Sequence, residues 1–154
     1  MIEKFMKIAI DESLNNIERG GGPFGAVVVK DGKLISRCGN QVTQSNDPTA
    51  HAEILAIREA AQILGTWDLS GCEIYSSCEP CPMCLGAVYW AHIPVIYFGA
   101  TRDDAKSAGF DDSVIYDEIG KEPDKRKIRM VNVLREGAVK GFQKWITYPG
   151  KKLY

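Results

Sequence analysis

Cys72-Glu-Ile-Tyr-Ser-Ser-Cys-Glu-Pro-Cys-Pro-Met-Cys-Leu-Gly-Ala-Val-Tyr-Trp-Ala91 decides how the chain folds. It opens as a short strand over 72–77, turns at Glu79-Pro80, and enters a helix from Cys81 to Ala91. Pro94-Val-Ile-Tyr-Phe-Gly99 follows as a short apolar run, the pattern of a strand covered on both faces. Upstream, residues 2–19 carry Ile2, Phe5, Met6, Ile8, Ala9, Leu14 and Ile17 near a 3.6-residue period. That amphipathic helix stops at Gly20-Gly21-Gly22-Pro23. Phe24–Lys30 and Lys33–Gly39, joined by Asp31-Gly32, read as a hairpin with a tight turn.

Asp47-Pro48 reads as a cap and first turn for a helix whose apolar residues run from Ala50 to Leu64. Residues 103–120 look irregular and partly helical, Ile128–Val133 reads as a fifth strand, and a helix is expected over Glu136–Trp145. The order α-β-β-α-β-α-β-α-β-α predicts an α/β fold, a three-layer α/β/α sandwich around a five-stranded mixed sheet. The 154 residues predict a single domain over 1–154.

Composition narrows the classes. With 45% hydrophobic and 25% charged residues, the chain can bury a core and is not disordered. It has no apolar run of about 18 residues, so no membrane partner is expected, and its acid-bearing N-terminus does not read as a secretion signal. A cytoplasmic location is expected. The formal net charge of −1 hides a division. Residues 1–120 hold 9 basic and 17 acidic side chains, and the last 34 hold 10 basic and 3 acidic. A basic tail on an acidic body suits a nucleic acid, an acidic face of a second subunit, or merely a solvated surface.

Five cysteines and two histidines, with no sign of a disulfide framework, point to metal or catalytic use of some of them. Cys81 and Cys84 are three apart at a helix start, so both thiols leave one face where the helix dipole favours thiolates. His51, at the start of another helix, offers a third N/S ligand. Three protein ligands leave one tetrahedral position for water, as in a catalytic zinc site. Glu53, two residues on, is free to take that water's proton.

Bland readings weaken on inspection. A structural zinc half-site lacks its second C-x-x-C or H-x₃-H, although Cys78 remains a candidate fourth ligand. An iron–sulfur run starting Cys78-x-x-Cys81-x-x-Cys84 needs Cys-Pro at 88–89, where Val88-Tyr89 stands. A redox C-x-x-C leaves His51 and Glu53 without a role. Cys38 and Cys72 read as core residues, and His92 as a helix C-terminal cap.

His51-x-Glu53 with Pro80-Cys81-x-x-Cys84 is the signature of zinc-dependent nucleobase deaminases. The chain resembles the cytidine deaminase-like superfamily over nearly its whole length. The stretches that carry the likeness are Gly22–Ala26, Asn46-Asp-Pro-Thr-Ala-His-Ala-Glu53, Ser77–Ala87 and Tyr89-Trp90. Ala108-Gly-Phe-Asp-Asp-Ser113, Ile115-Tyr116 and the final Lys151-Lys-Leu-Tyr154 resemble bacterial guanine deaminases in particular.

The resemblance implies one zinc per subunit with a bound water or hydroxide, held by His51, Cys81 and Cys84, and a proton carried by Glu53. It further implies that Asn40 and Ala52 hold the purine, that Asp112 contacts it and assists proton transfer, and that Phe24 and Trp90 wall the pocket. It implies a homodimer in which a C-terminal segment, about 135–154, crosses to the partner and sets Tyr154 over its substrate. Read from the residues alone, Asp111 and Asp112 are a solvated loop, Tyr154 is a chain end, and Phe24 and Trp90 are equally core or pocket wall.

The implied reaction converts guanine to xanthine and ammonia. The alternatives are adenosine-to-inosine deamination in transfer RNA, which the basic tail would suit, and deamination of cytosine. Outside the class stands a non-catalytic structural zinc protein.

Overall fold

The computed structural model describes residues 1–154, and the chain divides into two compact units, Met1–Asp112 and Ser113–Tyr154. The first unit contains α1 (Ile2–Glu18), β1 (Gly25–Lys30), β2 (Lys33–Gly39), the single turn α2 (Val42–Ser45), α3 (Ala52–Leu64), β3 (Cys72–Cys78), α4 (Pro82–Trp90), β4 (Val95–Ala100) and α5 (Arg102–Ser107).

Strand order is β2-β1-β3-β4, with β1 antiparallel to both β2 and β3 and β3 parallel to β4. The sheet is therefore mixed, as expected. Asp31 and Gly32 take positive φ of 50° and 69°, the backbone that a two-residue turn between right-twisted strands requires.

Strand alternation sends side chains to two separate cores. Val27, Val29 and Tyr75 meet Phe5 and Ala9 of α1, where Tyr75 stacks on Tyr97 at 4.6 Å. Ala26, Val28, Cys72 and Ile74 face the other way, onto Ala52, Ala56 and Ala60 of α3 and Val88 of α4. Helices on both faces complete the three layers, and the alanine ridge of α3 lets that helix approach the sheet closely.

The sheet has four strands, not five. Residues 128–133 lie in the second unit without strand pairing, and Ile128, Met130, Val131 and Val133 are all exposed. Their apolar character suits a strand. A strand exists only where a neighbour takes its N–H and C=O groups, and this chain supplies none there.

The helix start expected at Asp47-Pro48 also moves. Asp47 accepts bonds from the Thr49 N–H and hydroxyl at 2.8 and 2.7 Å, closing a local turn, and α3 begins after His51. This shift makes His51 the N-cap residue.

The second unit contains α6 (Ser113–Ile119), a 3₁₀ turn at Pro123–Lys125, and α7 (Arg135–Thr147). The Glu118 carboxylate accepts from the Lys121 ammonium and the Lys127 N–H, both at 2.5 Å, tying α6 to the turn. No residue of α7 is buried.

Candidate active site

Two helix starts meet where β3 ends. His51 is the N-cap of α3, Cys81 is the N-cap of α4, Pro82 opens that helix, and Cys84 lies in its first turn. Proline fits there because the first helical N–H has no partner to lose. The His51 Nδ1 atom stands 3.6 Å from Cys81 Sγ and 3.5 Å from Cys84 Sγ, and the three ligand atoms lie within 4.8 Å of one another.

Those separations fit zinc. Bonds of about 2.3 Å to sulfur and 2.0–2.1 Å to nitrogen give tetrahedral edges of about 3.5 Å. Cys78 stays outside the group: its buried thiol donates to the Thr101 carbonyl at 3.6 Å, and burial pushes its pKa up to about 11. The closed four-ligand site that a purely structural zinc would need is absent.

Glu53 is buried in the first turn of α3, and its carboxylate accepts from the Ser76 hydroxyl at 3.2 Å. Burial pushes its pKa above the usual carboxylate range. Ser76 was not anticipated from sequence. The signal was a polar residue on the strand face that Cys72 and Ile74 present to the α3 side.

Without metal the two thiols behave differently. The Cys84 thiol and the His51 ring hold Cys81 down to about 4 against the opposing effect of burial. Cys84 is pushed up by Cys81 and by burial, and His51 is raised by its bond to Cys81.

Around this centre, Ala52 is fully buried as the first residue of α3. Asn40 is buried, and its Oδ1 accepts from the Val42 N–H at 3.2 Å. The Phe24 ring meets Phe110 edge-on at 4.9 Å, and a cavity of about 400 Å³ lined by both, with Ser77, Cys78 and Ala100, opens beside them. None of the three candidate ligands lines that cavity. Asp112 is half-buried, and desolvation followed by the negative Cys81 raises its pKa. Trp90 closes α4 with most of its ring exposed, and Tyr154 ends the second unit, also exposed. His92 takes φ 59° just past α4 with its N–H on the Tyr89 carbonyl at 3.0 Å, a cap as expected.

The zinc-binding region of cytidine and deoxycytidylate deaminases matches residues 1–100. The chain belongs to that deaminase family. It is 49% identical over 153 residues to the guanine deaminase of Bacillus subtilis (strain 168), covering 99% of this chain and 98% of that one. An X-ray structure of guanine deaminase from Bacillus subtilis superposes with a TM-score of 0.96 at 49% identity over 99% of this chain and 98% of that chain. A tRNA-specific adenosine deaminase of Aquifex aeolicus (strain VF5) is 37% identical over 96% of this chain and 85% of its own length. A guanine deaminase from Nitrosomonas europaea has a TM-score of 0.68 at 36% identity, covering 79% of this chain and 66% of that one. Zinc is thus the metal of this deaminase family, and His51, Cys81 and Cys84 form a group that could hold such an ion.

The unequal thiols give a direct expectation. In protein stripped of zinc with a chelator, iodoacetamide at pH 6 should label Cys81 first, because it alone is largely thiolate there. Peptide mapping of partly labelled protein reads the order. Equal labelling of Cys81 and Cys84 would contradict the site as described.

Proposed function

We propose that the chain is a hydrolase that deaminates guanine to xanthine and ammonia. The observation that carries this is the reach of the likeness. At 49% identity it spans 153 residues, past the zinc-binding region ending at residue 100, and so takes in Phe110–Ser113 and the C-terminal segment. The likeness to the Aquifex transfer-RNA deaminase is weaker, at 37%.

His51, Cys81 and Cys84 hold the zinc. When bound, that ion supplies a Lewis acid able to bring the pKa of a water to about 7. Glu53 Oε accepts the proton of the attacking water, keeps it in a site closed to solvent, and delivers it to the purine ring nitrogen. A second transfer makes the exocyclic amine on C2 leave as ammonia. Burial suits Glu53 to this, because it raises the cost of the charged form and so favours holding a proton. The Ser76 hydroxyl holds one oxygen of that carboxylate in place.

Asn40 and Ala52 hold the base. With Asn40 Oδ1 committed to Val42, its Nδ2 is the donor that remains for a purine carbonyl. Phe24 and Trp90 sandwich the ring, and Asp112 contacts its edge and shares in proton transfer, its raised pKa again suiting that task.

The protein works as a homodimer in the cytoplasm, its single deaminase domain completed by a C-terminal segment, about 135–154, exchanged with the partner so that Tyr154 covers the neighbour's base. What supports the exchange is the second unit's own surface. Phe142 is 72% exposed, Ile146 65% and Val133 68%, an apolar load that wants cover. The basic tail and acidic body favour such docking by charge. Five free cysteines, two of them needed as reduced ligands, suit a reducing compartment.

Ammonia release measured side by side on guanine, guanosine, adenine, cytosine and transfer RNA tests the reading. Guanine should exceed every other substrate in kcat/KM by about 10² or more, since buried donors left unpaired reject the wrong edge. Faster turnover of adenosine in transfer RNA would replace guanine with the rival substrate.

A further inference from the structure

We infer that Asn16, on the inner face of the last turn of α1, is a positioning residue for purine binding: its single side-chain amide ties together the two loops that carry Phe24 and Asn40. The inference rests on the reading that Phe24 and Asn40 contact the base.

Asn16 is 2% exposed, yet it lies on a helix whose neighbouring Leu14 and Ile17 face solvent. Its Nδ2 donates to the Gly22 carbonyl at 2.8 Å and to the Asn40 carbonyl at 2.7 Å. Its Oδ1 accepts from Arg19 at 3.4 Å. Both donors on carbonyls and the oxygen on a guanidinium fix which way the amide points.

The two carbonyls belong to one small network. The Phe24 N–H donates to Gly22 O at 2.8 Å, and the Asn40 N–H donates to Phe24 O at 3.1 Å. Asn16 therefore closes a ring that runs from Gly22 through Phe24 to Asn40, and the stacking wall and the amide donor move as one piece.

The sequence around it is shaped to admit the amide. A Cβ on Gly21 would sit 2.3 Å from Asn16 Nδ2, and one on Gly39 2.4 Å from Asn16 Oδ1. Gly21, which reads as a helix breaker, and Gly39, at the end of the hairpin, thus also make room for this side chain. The side-chain hydrogen bonds of Asn16 go to Gly22, Asn40 and Arg19 and to none of His51, Cys81, Cys84 or Glu53. Its effect should fall on holding the base, not on moving protons.

Asn16→Asp keeps the volume but turns two donors into acceptors facing two carbonyls. KM for guanine and the dissociation constant for xanthine, measured by calorimetry, should each rise about tenfold. The turnover number should stay within about threefold and one zinc per chain should remain. Asn16→Ala, which removes both amide donors without adding charge, should show the same pattern if the aspartate variant does not fold.

Val29→Ala, a core truncation on the sheet face that α1 covers but away from both loops, should lower Tm without moving KM. That separates positioning from general loosening. Asn40→Ala should raise KM on its own, and adding Asn16→Asp to it should raise KM by less than it does in the parent, because only the part that runs through Phe24 is then left. Unchanged KM and xanthine affinity in both Asn16 variants, with Asn40→Ala impaired, would overturn the inference alone. Unchanged KM in Asn40→Ala would overturn it together with the reading of Asn40.

Discussion

Glu53→Gln should abolish ammonia release from guanine, with kcat/KM down by about 10³-fold or more, while one zinc per chain stays bound. Glutamine keeps the shape of Glu53 and an oxygen for the Ser76 hydroxyl at the same place. It cannot take a proton from water or give one to a ring nitrogen. The three candidate metal donors are untouched, since Glu53 is outside the His51–Cys81–Cys84 group.

Stability separates chemistry from folding in this variant. Burial raises the Glu53 pKa, so the charged form is the costly one. A raised carboxylate pKa means that stability is fully present below the unfolded value of about 4.3 and is lost as pH rises through the folded one. A neutral amide escapes that loss, so in protein stripped of zinc Glu53→Gln should melt no lower than the parent at pH 7. A variant with intact zinc and Tm that still turns guanine over within tenfold of the parent would remove Glu53 from the mechanism. Loss of zinc together with activity would make Glu53 part of the metal site instead.

What could be read from the sequence divides along a physical line. The clustering of His51, Cys81 and Cys84 was legible because its logic is local. A Cys-Pro-x-Cys at a helix start must present both sulfurs on one face, and a histidine opening the next helix needs only a shared sheet edge. The same holds for the Asp31-Gly32 turn and for the α1 periodicity.

The misreadings concern groups whose partners are distant in sequence and, at Asp47, a local turn that competes with the helix start. Ile128–Val133 has strand composition, but strand pairing is a property of two segments, and composition reports only one. Asp47-Pro48 has the chemistry of a helix start, and Thr49 captured its carboxylate first. Asn16 and Ser76 are single polar residues among apolar ones, and they look like surface until the fold shows that both point inward. Their signature was indirect: glycines at 21 and 39 that leave no room for a Cβ beside Asn16, and a serine in phase with Cys72 and Ile74.

Removing residues 151–154 should cut guanine turnover about a hundredfold and leave zinc bound, if Tyr154 closes a site as proposed. The residues concerned lie far along the chain from the ligands, and the second unit holds none of the three. A loss of activity alone would not say whose site the tail closes. Mixing subunits does. A full-length Glu53→Gln chain has a tail but no proton carrier, and a truncated chain has the carrier but no tail. Each should be nearly inactive by itself. If the tail crosses to the partner, a mixed dimer places an intact tail over an intact Glu53, and about half of the mixed-dimer sites recover. If each tail covers its own subunit, mixing restores nothing, because no subunit then has both. Full activity in the truncated chain alone would end the closing role of Tyr154. Recovery on mixing, absent when both partners carry Glu53→Gln, is the result that the exposed apolar residues of the second unit lead us to expect.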